Sequence, residues 1–237
     1  DVDWLILARL VYLPFEDIVA FDTSVGLVDA VEALLNTPQR IVRPEDFALL
    51  SQLVRSVRFA PMRLLRYVSH WDAVQEKQFA ALTVDVGDTL RCVLFRGTDN
   101  TLVGWKEDLN MTFMTRIPSQ LEAAAYLDGA YTPDRRFIVA GHSKGGNLAV
   151  YAAAFANPVV QDKIDKIYSF DGPGFHKEIL ISAGYGRINS RICAFVPQTS
   201  VIGMLLDHEA DYTIVHSTQS GLMQHDMYSW QTLPDGF

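Results

Sequence analysis

The chain has 237 residues, 49% hydrophobic and 20% charged, with 20 Lys and Arg against 28 Asp and Glu for a formal net charge of −8. That composition excludes a disordered, collagen-like or coiled-coil protein. No run approaches the roughly 18 apolar residues of a membrane span, and the acidic balance lacks the cations that a nucleic-acid backbone requires. In chain order, Trp4–Leu13 is an apolar segment stopped by Pro14, and Gly26–Leu35 carries Leu27, Val28, Val31, Leu34 and Leu35 at helical spacing. Pro44-Glu45-Asp46 opens a further helix with acids in its first turn. Lys77–Val86 and Thr89–Phe95 then change period and read as two strands joined at Gly87-Asp88. Beyond them, Pro118–Tyr131 and Gly145–Ala156 read as helices, and Arg136–Ala140, Lys166–Phe170, Arg191–Val196 and Tyr212–His216 as strands. Strands alternating with helices predict an α/β fold with a mostly parallel sheet covered on both faces. The expectation is one domain over residues 1–237, with 1–75 a helical region packing on it or capping it.

Cys92 and Cys193 stand far apart in apolar runs and read as core residues, not as a disulfide or metal pair. No metal-ligand spacing and no phosphate-binding glycine pattern is present, so no cofactor and no metal is expected. Asp1-Val2-Asp3-Trp4 offers no basic n-region, which points to a cytoplasmic chain without a signal peptide. Six arginines fall within residues 40–66. They read as a solvated helical face, or else as a contact for an acidic partner or lipid headgroups.

The informative segment is Arg136-Phe-Ile-Val-Ala-Gly141-His142-Ser143-Lys144-Gly145-Gly146-Asn147. It contains G-x-S-x-G, with an apolar strand running in and a small-residue helix running out. A serine on that sharp turn is held in strained backbone with its hydroxyl above the sheet edge, which makes Ser143 the candidate nucleophile. The Lys144 N–H lies at the helix N-terminus, where it can hold an oxyanion. His142, inside the same turn, reads as structural. Upstream, a strand ends in Arg96-Gly97-Thr98, and Thr98 is the candidate second oxyanion donor.

Phe95-Arg-Gly-Thr98, then Trp105 and Asp108, then Gly141-His-Ser-x-Gly145 resemble the class-three (fungal-type) lipases of the α/β-hydrolase fold. The chain is more similar still to a bacterial, lipase-related branch called Mbeg-like. That likeness runs through the opening Trp-Leu-Ile-Leu-Ala, Arg-Gly-Thr-Asp, Gly-Trp-Lys-Glu-Asp, Gly-His-Ser-Lys-Gly-Gly-Asn-Leu-Ala and Asp-Gly-Pro-Gly-Phe. The resemblance implies an α/β-hydrolase fold and hydrolysis of an ester or thioester, with no particular substrate.

The triad order of this fold is Ser, acid, His. The base should follow the last strand, which selects His225, with His216 as the alternative. The lipases carry Asp after the next-to-last strand, where this chain has Pro197-Gln198-Thr199-Ser200. The acid must come from elsewhere: Asp171, which ends the preceding strand in Asp171-Gly-Pro-Gly, or Asp207, or Glu209, or no residue at all. Met111, Phe113 and Met114 form an apolar cluster after the oxyanion loop and are the candidate acyl pocket. Met204, Leu205 and Leu206 form a second cluster. The resulting expectation is a serine esterase or lipase-like hydrolase acting on a small-molecule or lipid-like ester. The competing readings are a decayed hydrolase-fold binding module and an acyltransferase.

Overall fold

The structure, a computed structural model, describes residues 1–72, 74, 77–98, 116–233 and 236–237. Among the described residues eight strands form a single sheet in strict chain order. They are β1 (Ser24–Gly26), β2 (Arg63–Asp72), β3 (Lys77–Val86), β4 (Leu90–Phe95), β5 (Arg136–His142), β6 (Ile164–Phe170), β7 (Ile192–Pro197) and β8 (Tyr212–Val215). The first four pair antiparallel and β4 to β8 pair parallel. The parallel half is the α/β half that the alternating pattern predicts. Within the antiparallel half, Gly87, with a φ of 76°, lets a tight turn join β3 to β4.

Apolar runs in β3, β4 and β5 carry hydrophobic residues on both faces because both faces are covered. Ala80, Leu82, Val84, Cys92, Leu94, Ile138 and Ala140 point into one core, shared with α1 (Val2–Leu10), α2 (Leu27–Leu35) and α3 (Pro44–Leu53). Phe79, Ala81, Val93, Phe95, Phe137 and Val139 point into the other, shared with α4 (Pro118–Gly129) and α5 (Lys144–Phe155). The alternation is strict, so a slip of one residue in any of these strands would exchange the two cores.

Residues 1–75 are not helical throughout, since β1 and β2 lie within them. The reason β2 imitates a helix is a register shift between Leu65 and Val68 at Arg66, which adopts a φ of 55°. The bulge leaves Leu64 and Tyr67 buried three positions apart, a spacing that reads as helical. The arginines of residues 40–66 do not form one charged face. Arg40 pairs with Glu16 and Asp17, Arg43 with Asp226 and Arg58 with Asp3, while Arg63 bonds Ser24.

Candidate active site

Each parallel strand delivers one candidate residue at its carboxyl end, where ligands gather in sheets of this kind. Thr98 follows β4, Ser143 follows β5, Asp171 follows β6, the Gln198–Gly203 loop follows β7, and His225 lies in the turn beyond β8.

Ser143 stands between β5 and α5 with φ 59° and ψ −135°. A side chain is rarely tolerated there, and such strain persists only where the surroundings impose it. Glycine imposes it here. A Cβ on Gly141 would lie 2.1 Å from the Gly145 carbonyl oxygen, and one on Gly145 would lie 2.1 Å from the carbonyl oxygen of Phe95. Only hydrogen at these two positions lets α5 cross so close to β4 and β5. Gly145→Ala is therefore expected to cost at least about 3 kcal/mol of stability, a fall of roughly 6–12 °C in melting temperature. An unchanged melting curve would show that the crossing yields without cost.

His225 Nδ1 donates to Asp171 Oδ2 at 2.6 Å, and Asp171 is only 1% exposed. The structure thus brings Asp171 and His225 together. Asp207 is exposed and occupied elsewhere: its backbone pairs with Phe175, and it lines a separate cavity behind β7. Ser143, His225 and Thr98 line one cleft of about 660 Å3. The Thr98 loop abuts the turn so closely that a Cβ on Gly97 would come within 2.8 Å of Ser143 Cβ. Lys144 opens α5 as its first residue, and its own ammonium is buried, donating to the Gln78 carbonyl at 3.1 Å. Trp105, Asp108, Met111, Phe113 and Met114 lie outside the described residues. Met204 and Leu205 are exposed and do not line the cleft.

His142 is structural, and its partners define its proton. Its Nε2 meets the His225 carbonyl oxygen at 2.7 Å, which requires the N–H on Nε2. Nδ1 is then an acceptor, served by the Tyr12 hydroxyl at 3.2 Å, and the same hydroxyl accepts the Gly97 N–H at 3.0 Å. The two imidazole rings lie 4.5 Å apart. Burial, reinforced by the adjacent His225 ring, holds the His142 imidazole well below its ordinary value of 6.5. The unfolded chain binds this proton near pH 6.5 while the folded chain refuses it, so stability falls as pH falls through that range. The contribution approaches 1.4 kcal/mol per pH unit, on the order of one proton. His142→Gln should flatten the dependence of unfolding free energy on pH between 6.5 and 5, measured by urea denaturation. A slope equal to that of wild type would contradict the assignment.

The N-terminal segment builds one wall of the cleft with Arg9, Tyr12, Val42 and Arg43. It is fastened to the histidine turn. Buried Asp46 accepts Arg9 Nε and Nη2, both at 2.8 Å, and the Tyr228 hydroxyl at 2.6 Å. Arg43 grips Asp226, the residue after His225, at 3.2 and 2.6 Å. These pairings carry no local sequence signal, because Arg9–Asp46 spans 37 positions and the Tyr228 and Arg43 contacts some 180. Among the described residues, no group of side chains has the spacing of a metal site and no helix is long and apolar enough to cross a membrane.

In overall shape the chain is similar to the crystal structure of M37 lipase, at 11% identity and a TM-score of 0.51, over 82% of this chain and 66% of that one. It is also similar to a lipase from Rhizopus microsporus var. chinensis, at 14% identity and 0.47, over 86% and 80%. The native Rhizomucor miehei lipase propeptide complex aligns at 15% identity and 0.45, over 63% and 56%. The chain thus spans just under two thirds of the first of these proteins and little more than half of the last. At 11% identity the likeness to M37 lipase carries the fold alone, an α/β-hydrolase architecture. No curated protein matches the sequence. Most of the chain, residues 53–237, matches the profile of the Mbeg1-like family, and the chain belongs to that family.

Proposed function

We propose that this chain is a serine hydrolase of carboxylic esters. The observation that carries the reading is the His225–Asp171 pair, joined at 2.6 Å and opening on the same cleft as a serine in a strained strand-to-helix turn. In this reading Asp171 holds His225 with its proton on Nδ1, leaving Nε2 as the base. Nε2 takes the Ser143 hydroxyl proton as Oγ attacks the acyl carbonyl. The backbone N–H groups of Lys144 and Thr98 hold the tetrahedral oxyanion. His225 returns the proton to the departing alkoxide, giving the alcohol and an acyl-Ser143 ester. Water, deprotonated by His225, then attacks that ester and releases the carboxylic acid and free serine.

The charge of the cleft favours an uncharged substrate. Arg9 and Arg43 line it, but each guanidinium is already met by both oxygens of a carboxylate. Val42, Leu222 and Met223, all exposed, supply apolar surface for the acyl or alcohol portion. A fluorophosphonate probe tests the reading: it should label the wild-type chain and leave Ser143→Ala unlabelled. A folded wild type that takes no label would overturn it. Product analysis with a competing alcohol acceptor separates hydrolysis from acyl transfer.

A further inference from the structure

The loop after β7 stands where the lipase resemblance places the acid, and it holds none. We propose that the Gln198–Gly203 loop instead positions the Asp171–His225 pair, with Ser200 as the residue that fixes the carboxylate; the inference rests on the function proposed above. Asp171 lies one residue past β6 in a left-handed conformation, φ 49°, with its N–H bound to the Phe195 carbonyl at 2.8 Å. Its backbone therefore enters the site strained, and its two carboxylate oxygens have separate duties. Oδ2 receives His225 Nδ1. Oδ1 receives the Ser200 hydroxyl and the Gly203 N–H, the latter at 3.1 Å.

The direction of the Ser200 bond is determined. Ser200 Oγ also accepts the Gly203 N–H at 2.9 Å, so its own proton is the one directed at Asp171. Gly203 is required by the same close approach, since a Cβ there would lie 2.3 Å from Asp171 Oδ1. The loop grips the base as well. Thr199 N–H donates to Gln224 Oε1 at 3.1 Å, and Gln224 Nε2 donates to Thr199 Oγ1 at 2.5 Å. Gln224 is 3% exposed, immediately precedes His225, and accepts Trp230 Nε1 on its carbonyl at 2.8 Å. One residue earlier in the loop, Gln198 exchanges two hydrogen bonds with the backbone of Ser217, at 3.0 and 2.8 Å. A segment of six residues thus sets the acid from one side and the base from the other. In place of a charge, this loop contributes the donors that aim a charge brought from the neighbouring strand.

Ser200 is not one of the residues lining the cleft and acts through Asp171, so it is a positioning residue. Its loss leaves Asp171 Oδ1 with one donor. A carboxylate with fewer donors is more basic, and it also stabilises the imidazolium of its partner more strongly. Both effects move the acid limb of the kcat/KM profile to higher pH. The test is hydrolysis of a p-nitrophenyl ester by Ser200→Ala and Ser200→Thr, read as kcat, KM and the pH profile. Ser200→Ala should lower kcat about tenfold, the lower end of what supporting hydrogen bonds around a site are worth. KM should be unchanged, the acid limb should rise, and Ser200→Thr should restore both. If Ser200→Ala does not fold, Ser200→Cys takes its place; its weaker donor should shift the limb in the same direction. Wild-type kcat and an unmoved limb in these variants, with wild type labelled by fluorophosphonate, would overturn the positioning role alone. Absence of label on wild type would instead overturn the hydrolase reading beneath it.

Discussion

Asp171→Asn is expected to lower kcat by about four orders of magnitude at neutral pH while leaving the fold intact, the size of loss that follows when a triad imidazole is held in its wrong tautomer. The surroundings of Asp171 leave the amide no satisfactory orientation. With its nitrogen facing His225, the donor meets Nδ1, which must then become an acceptor and carry its proton on Nε2, where it cannot serve as a base. With its nitrogen facing the loop, the amide meets the Gly203 N–H, donor against donor, at the 3.1 Å where Oδ1 now accepts. The nitrogen also displaces the acceptor of Ser200. Asp207→Asn is the control. It lies exposed on another cavity and should leave turnover unchanged. Steady-state hydrolysis of a p-nitrophenyl ester by both variants decides the matter. Near-normal turnover in Asp171→Asn, or collapse in Asp207→Asn, would move the acid elsewhere.

Ser143→Ala is expected to show the largest loss, about a millionfold in kcat where wild type is fully active, as for removal of a triad nucleophile. The residual rate over water, on the order of 10³–10⁴, is what oxyanion donors and binding alone supply. The fold should survive. Alanine keeps the Cβ that already occupies the strained turn, and the glycines that create the turn are untouched. A melting temperature close to wild type, measured beside the missing turnover, distinguishes loss of chemistry from loss of structure. Retained turnover in a folded Ser143→Ala would assign the nucleophile to another group.

Much of this site is legible from sequence because the parallel half of the sheet is locally encoded. β3 occupies the predicted span Lys77–Val86, and the strands and helix around Ser143 agree to within a few residues. Asp171 is legible for the same reason: a carboxylate at the end of a predicted strand, next to the elbow strand, falls at the same sheet edge. What escapes the sequence is long-range or interrupted. β2 is masked by the bulge at Arg66, which breaks the alternation on which strand recognition depends. Tyr12 shows only as one more residue of an apolar helix, yet its hydroxyl joins the Gly97 loop to His142 across 130 positions. Ser200 reads as a vacancy in the lipase pattern, and only three-dimensional placement reveals it as a donor. Asp46 and Asp226 read as ordinary acids of a helix start and a loop. Their arginine partners come from segments whose path the sequence does not specify.

Because each described strand after β1 hydrogen-bonds to its predecessor in the chain, synthesis on the ribosome presents every new strand with a sheet edge that has already emerged. The hydroxyl, the carboxylate and the imidazole emerge at positions 143, 171 and 225. Under the proposed function, a nascent chain therefore holds all eight described strands before its proposed base reaches the proposed nucleophile. His225, which follows β8, is the last of the three to emerge, and it lines the cleft with Ser143.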